Sequence, residues 1–218
     1  MNDLAASGFP VVDEGSRALV SAAVVLVDER GPAALTIREL ACAVGEPASR
    51  VYRRIGDKET LIALVGDEML GEVPLPDARA GWREQAFAHG AYLRARCRLH
   101  PALARFLERS GGWTKNRLRY QEVGLEIFDG AGFAPDQALL SYYLIYFLTL
   151  GLAATSGEQT DRETIDEWHR NWRLALAASE PGQFPRLEAS ASALAALDLD
   201  QSYAVAVGVL LDGLEQQL

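Results

Sequence analysis

The sequence predicts an all-α protein in two parts. A short N-terminal helical unit contains a helix-turn-helix, and a proline-rich connector joins it to a larger helical part. Three observations predict this. No alternating apolar run closes on Asn-Gly or Asp-Gly, so strand signals are missing. Apolar residues recur instead at helical spacing along the chain. Gly and Pro interrupt those periodic stretches where helices of a bundle have to end.

The elements follow in order. Leu19, Ala22, Ala23, Leu26 and Val27 lie at i, i+3, i+4, i+7 and i+8, and Gly31-Pro32 ends that first helix. A second helix opens at Thr36, where Thr-Ile-Arg-Glu has the form of a capping box: Thr36 and Glu39 can each satisfy a free amide. It ends at Val44-Gly45, Glu46-Pro47 makes the turn, and a third helix runs from about Ala48 to Arg54. Gly56 breaks the chain and Asp57 caps a fourth helix to about Glu72. The connector Val73-Pro74-Leu75-Pro76 then divides the chain into domains 1–73 (ordered from about 16 to 72) and 74–218. Helices are expected at about 78–99, 101–109, 114–130, 136–156, 161–179 and 201–217. Pro101, Gly111-Gly112, Gly130 to Gly132 and Gly157 separate the first five. Residues 180–200 mix Pro, Gly, Ser and Ala and read as a long loop, with a helix over 188–197 as the alternative.

Composition bounds the classes. With 218 residues, 49% hydrophobic and 23% charged, the chain is an ordinary globular one, which excludes collagen and bulk disorder. Its two cysteines, Cys42 and Cys97, match no disulfide framework or metal spacing, as expected in a reduced, cytoplasmic setting. The first residues carry acids and no Lys or Arg, which argues against a secretory signal. The apolar run from Ala138 to Ala154 is at the short limit for a membrane span and has no basic flank, so it reads as a buried or interface helix. Net charge is -9, unfavourable for a nucleic-acid binder. Between 36 and 58, however, Arg38, Arg50, Arg53, Arg54 and Lys58 outnumber Glu39, Glu46 and Asp57, and DNA contact needs only such a local patch.

That window is the informative one. Two short helices around a glycine turn fit the helix-turn-helix, whose second helix enters the major groove. Leu40, Val44, Val51 and Ile55 supply an apolar seam, which leaves Ser49, Arg50 and Arg53 on the outer face with Tyr52 and Arg54 beside it. Arginine can donate bidentately to guanine, and hydroxyls suit phosphates. An amphipathic helix pair within a helical enzyme would show the same shape.

The run ALTIRELACAVGEPASRVYRRIGDKETLIALVGDEM resembles the N-terminal signature of the tetracycline-repressor family of transcriptional regulators. The Leu-Thr-x-Arg-x-Leu-Ala start, the glycine turn, Tyr52 and Lys58 carry the likeness over about residues 16–72. The long helix FAPDQALLSYYLIYFLTLGL, the last run SYAVAVGVLLDGLEQQL and the helix order extend it more weakly over the rest. The resemblance implies a homodimeric repressor that binds a palindromic operator and is released by a small molecule. Position by position it implies that Thr36 meets phosphate and Arg38 a base edge. Ser49, Arg50 and Arg53 would face bases, and Tyr52, Arg54 and Lys58 would hold the DNA backbone. Ala48 would offer an apolar contact. Glu46 departs from the family, which usually has an apolar residue after the turn glycine. A carboxylate there calls the turn packing into question, adds negative charge near DNA and predicts modest affinity or a dependence on dimer geometry.

Two helices from each protomer are expected to form the dimer interface, through Leu140 and Leu144 on one and Val207, Leu210, Leu211 and Leu214 on the other. The bland alternative is two core helices of a monomer. Trp113, Tyr143 and Phe147 are the expected ligand-lining aromatics, in a pocket that is mostly apolar. The resemblance also puts Leu107 near a histidine that helps hold a magnesium-chelated drug in the family's namesake, so a largely apolar organic effector is expected here. His89, His100 and His169 form no His-x-x-x-His pair, and nucleophile-elbow, phosphate-loop and dinucleotide motifs are missing. No cofactor, metal or membrane partner is therefore expected. The competing class is a small helical enzyme or carrier with its site inside the bundle.

Overall fold

A computed structural model describes residues 14–109, 113–155, 162–180, 182–195, 199–216 and 218. Among them every regular element is helical. The helices are α1 (Glu14–Arg30), α2 (Ile37–Val44), α3 (Ala48–Ile55), α4 (Lys58–Leu70), α5 (Trp82–Leu99) and α6 (Leu103–Arg109). They continue with α7 (Lys115–Gly130), α8 (Pro135–Thr155), α9 (Arg162–Ala177), α10 (Pro185–Ala195) and α11 (Leu199–Glu215). A single 3-10 turn, Pro32–Ala34, links α1 to α2. The breaks expected at Gly111, Gly112 and Gly157 lie outside the described residues. None of the described helices is long and apolar enough to cross a membrane.

The chain forms two compact units, residues 1–154 with Leu218, and residues 155–217. This division differs from the one at the Val73–Pro76 connector, because α4 does not belong to the N-terminal helices alone. It packs against α1 on one side and against α5, α6 and α7 on the other.

In the first unit the N-terminal core is built from Leu19, Val20, Ala23, Leu26 and Val27 of α1, closed by Leu35, Leu40, Val51, Ile55, Leu61 and Val65, all buried. Val44, expected in the same seam, is half-buried. Gly45 ends α2 in the left-handed region at φ 67, which glycine adopts without a Cβ penalty. Thr36 Oγ1 accepts from the Glu39 amide at 3.0 Å. The capping box closes from one side only. The Thr36 amide donates to Ala34 O at 2.9 Å, and the Glu39 carboxylate reaches out to Arg30 at 3.1 Å.

The far end of α4 is held by side chains of other helices. Arg96 Nε donates to Met69 O at 2.6 Å, and the Tyr92 hydroxyl donates to Leu70 O at 2.6 Å and Glu72 O at 2.9 Å. These groups from α5 satisfy carbonyls that a helix C-terminus leaves open. In return, Asp67 of α4 caps α7. Thr114 at the α7 N-cap makes no side-chain cap bond, and Asp67 Oδ1 accepts from the Asn116 amide at 2.9 Å instead. His100 Nδ1 lies 2.9 Å from Asp28 Oδ2, tying the end of α5 to α1.

In the second unit α9 packs against α10. The loop expected over 180–200 is corrected here. Pro185–Ala195 is helical, with Pro185 at its first position, where a missing N–H costs nothing, and with helix-favouring alanines following. Glu188 Oε1 accepts from the Gly182 amide at 2.9 Å, and Ser190 Oγ donates back to Arg186 O at 2.8 Å. Small polar residues mimic a loop composition while serving the helix.

Candidate nucleic-acid interface and interior cavities

Helix α3 separates its two faces cleanly. Val51 and Ile55 are 0% and 1% exposed, one turn apart on the inner side. Ala48, Ser49, Arg50, Arg53 and Arg54 are exposed, and Tyr52 is 58% exposed. Arg38 and Lys58, from α2 and α4, are exposed as well, and Thr36 is half-buried. The Thr36 oxygen accepts the cap bond, which leaves its hydroxyl hydrogen to donate.

Glu46 does not disturb the turn. Its amide closes onto Ala41 O at 3.0 Å, and its carboxylate lies 3.2 Å from Arg54 Nη1 through Oε1 and 3.3 Å through Oε2. The Arg54 guanidinium also packs beside Gly15 of α1. The negative charge expected at Glu46 is present, but it does not stand alone. One arginine of the patch neutralises it. Nothing local to the sequence signals this pairing, because only the folded turn brings together two residues eight apart.

The expected dimer residues divide. Leu140 and Leu144 on α8 are 56% and 38% exposed, and Leu210 on α11 is half-buried. Val207, Leu211 and Leu214 are already covered within one chain, at 0%, 3% and 2% exposure. They would support an interface from beneath without adding area to it. Val205 and Val209 are the open valines of α11.

Inside the first unit, α5, α7 and α8 enclose an aromatic cluster. His89 stacks on Tyr120 with ring centroids 3.9 Å apart, and Tyr142 stacks on Tyr146 at 5.7 Å. A cavity of about 10 Å³ touches His89, Tyr120, Tyr142 and Tyr146 among apolar neighbours. A second, of about 30 Å³, is lined by Leu70, Trp113, Arg117, Tyr120, Tyr143 and Tyr146, with others. Arg117 lies 4.7 Å over the Trp113 ring. Two of the three expected lining aromatics, Trp113 and Tyr143, border this second cavity. Phe147 lines neither: it is 61% exposed and stacks on Tyr143 from outside at 5.3 Å. A larger groove of about 990 Å³ runs past the connector and α7, but it is open and carries Lys115, Arg119 and Glu122.

Burial governs the charges here. It lowers the His89 imidazole to about 4, leaving it neutral near pH 7, and it raises the Tyr142 and Tyr146 hydroxyls. Asp67 is also raised, because burial outweighs the hydrogen bonds from Thr114, Asn116 and Arg117. Sequence reading missed His89, Tyr120 and Asp67. A signal existed for His89, which shares the α5 face of Ala86, Gly90 and Leu93, an apolar stripe at helical spacing. Among the described residues no group of three His, Cys, Asp or Glu could hold a metal ion.

Residues 75–218 match the family model described as tetracyclin repressor-like, C-terminal domain. An HTH-type transcriptional regulator of Saccharopolyspora erythraea is 28% identical over 174 residues, which is 77% of this chain and 73% of the relative. ActR, a TetR family protein of Streptomyces coelicolor solved in complex with actinorhodin, superposes with a TM-score of 0.80. It is 24% identical, over 91% of this chain and 93% of that one. A TetR variant from Acinetobacter baumannii AYE, in complex with minocycline, gives 0.72 at 20% identity, over 94% of each chain. At those identities the structural likeness is one of fold.

Proposed function

The chain belongs to the tetracycline-repressor family of transcriptional regulators, and we propose that it is a repressor gripping a palindromic operator as a homodimer. In this reading residues 1–73 hold the DNA, and a small molecule entering the interior of 74–218 releases it.

The exposed face of α3 carries the reading. Ser49, Arg50 and Arg53 stand on a helix whose opposite side is locked into the core by Val51 and Ile55. A base-reading helix has to be rigid on one side and polar on the other. Arg50 and Arg53 would meet base edges, and Tyr52, Lys58 and the Thr36 hydroxyl the phosphates. Arg38 would reach a neighbouring base, and Ala48 would lie against a thymine methyl. Leu140, Leu144 and Leu210 would open the dimer contact, because two such helices must stand roughly 34 Å apart to meet successive major grooves.

Ligand release is supported by the way α4 is built in. The helix that follows α3 ends against Arg96, Tyr92 and the start of α7, beside the cavity at Leu70, Arg117 and Trp113. A molecule that widened this cavity would bear directly on the far end of α4. ActR with actinorhodin and the TetR variant with minocycline are ligand-bound relatives of the same fold. The test is footprinting on the promoter region of the chain's own gene, followed by a screen for small molecules that abolish the footprint. A palindromic footprint that disappears on adding an effector is the expected outcome. Absence of any protected site would contradict the reading.

A further inference from the structure

We infer that Asp28 and His100 form a strut that fixes the angle at which the reading helices stand on the helices behind them, and so sets the half-site spacing that the homodimer accepts. The inference rests on the reading of the chain as a homodimer on a palindromic operator, and it names the residues that hold its geometry.

Helix α4 carries most of the packing between the N-terminal helices and α5, α6 and α7. Its far end is clamped by Arg96, Tyr92 and Asn116. A body joined to another through one helix can still turn about the axis of that helix. A second contact to the side of the axis removes that freedom. Asp28 supplies one from α1, which packs beside α4. Packed helices lie roughly 8–10 Å apart, axis to axis, so the pair acts with a lever arm about the α4 axis. Among the described residues α1 has no close backbone packing on α5 or α6, so a side chain has to span the gap.

Both ends of the strut are rigidly mounted. His100 is the corner residue between α5 and α6: its amide donates to Arg96 O at 2.9 Å, and its carbonyl accepts from the Leu103 amide at 2.9 Å. Pro101 follows and restricts the His100 backbone further. Asp28 stands in the last turn of α1, with Val24 and Val27 buried beside it. An acid there faces the negative end of the helix dipole and does nothing for α1 itself. Its partner is elsewhere: the His100 side chain is 12% exposed and the Asp28 side chain 30%. Nδ1 can donate to the carboxylate whether the ring is charged or neutral. Both side chains are short, so a bond of 2.9 Å between them holds a distance that a pair of long, flexible side chains would not.

The test uses Cys42, which is exposed on α2 while Cys97 is buried. A spin label on Cys42 of each protomer reports, by dipolar spectroscopy and without DNA, how far apart the two sets of reading helices stand. Wild type should give one narrow distance distribution. Asp28→Ala, and His100→Phe, which keeps a ring and removes the donor, should each give one at least twice as broad. The double variant should be no broader than either, because both changes remove the same contact. His100→Asn keeps a donor near the Nδ1 position and should restore the narrow distribution. On DNA, one base pair added between the half-sites of the footprinted operator moves the second by about 3.4 Å and turns it by about 35°. Wild type should lose at least tenfold in affinity and the two variants less than threefold, with all proteins binding an isolated half-site equally. An unchanged distance distribution, or an unchanged spacing preference, in both variants would overturn the strut. So would equal losses on half-site and full operator, because a pair that merely holds the fold would weaken both. Sedimentation of wild type at the mass of one chain would sink the homodimer reading, and the strut along with it.

Discussion

Glu46 and Arg54 form an ion pair across the turn of the helix-turn-helix, 3.2 Å apart, with both side chains partly open to solvent. The pair removes one positive charge from the surface that α3 presents. Glu46→Gln should free Arg54 for phosphate. Affinity for all DNA should rise, and the slope of log affinity against log salt should steepen by about 0.9 for each additional phosphate neutralised at every half-site. Partly exposed pairs contribute about 0–1 kcal/mol, so the fold should hardly notice. A salt titration of both proteins on random DNA checks this. An unchanged slope would mean that Arg54 stays off the backbone.

Asp67 caps a helix that is not its own. Its carboxylate is raised by burial, so ionisation is held against a penalty at neutral pH. Asp67→Asn keeps an acceptor for the Asn116 amide and removes that penalty, and should be as stable as wild type or slightly more so. Asp67→Ala strips the cap from α7 and should cost about 1–2 kcal/mol. Urea unfolding of the three proteins distinguishes them, and equal destabilisation of both variants would deny the capping role.

His89 should make stability fall with acid. The unfolded chain takes its proton near 6.5, the folded chain only near 4. Between those values the unfolded state binds more protons, so stability drops as pH falls through the window and is level above it. From pH 7.5 to pH 5 this group should cost about 2 kcal/mol of stability. The stability of His89→Phe should fall by that much less than wild type over the same range. Parallel pH profiles would show that His89 protonates freely in the folded protein.

Leu140 is 56% exposed in one chain, so Leu140→Asp should leave the protomer within about 0.5 kcal/mol of wild type. In a dimer interface the same aspartate would be an unpaired buried charge, costing several kcal/mol. Sedimentation should show wild type at twice the chain mass of 23.7 kDa and the variant at that mass. Operator binding should disappear together with the dimer. A variant that stayed dimeric would move the interface elsewhere.

The positions of α2, α3 and α4 were legible in the sequence to within a few residues, because their ends carry local chemistry: Thr36, Gly45, Gly56 and Asp57. The outer face of α3 was legible for the same reason, since burial of Val51 and Ile55 fixes where Arg50 and Arg53 point. What escaped depends on interactions between distant segments. The partner of the Glu46 charge is Arg54, eight residues on, which only the folded turn delivers, and the Asp67 cap joins residues 49 apart. Segment 185–195 was misread because alanine and serine serve loops and helices alike. Phe147 was a reasonable pocket residue by type, but its helix turns it outward.

Base reading by Arg50 and Arg53 on α3, with Lys58 holding only phosphate, is the centre of the proposed function. The most direct test is to measure operator and random-DNA affinities of wild type, Arg53→Ala and Lys58→Ala across a salt series. Arg53→Ala should cost about 1–3 kcal/mol per half-site on the operator and much less on random DNA, so that the specificity ratio collapses. Lys58→Ala should weaken both DNAs alike and flatten the salt slope by about 0.9 for each phosphate it no longer neutralises. If Arg53→Ala lowered both affinities by the same factor, Arg53 would be a phosphate clamp and the reading face assigned to α3 would be wrong.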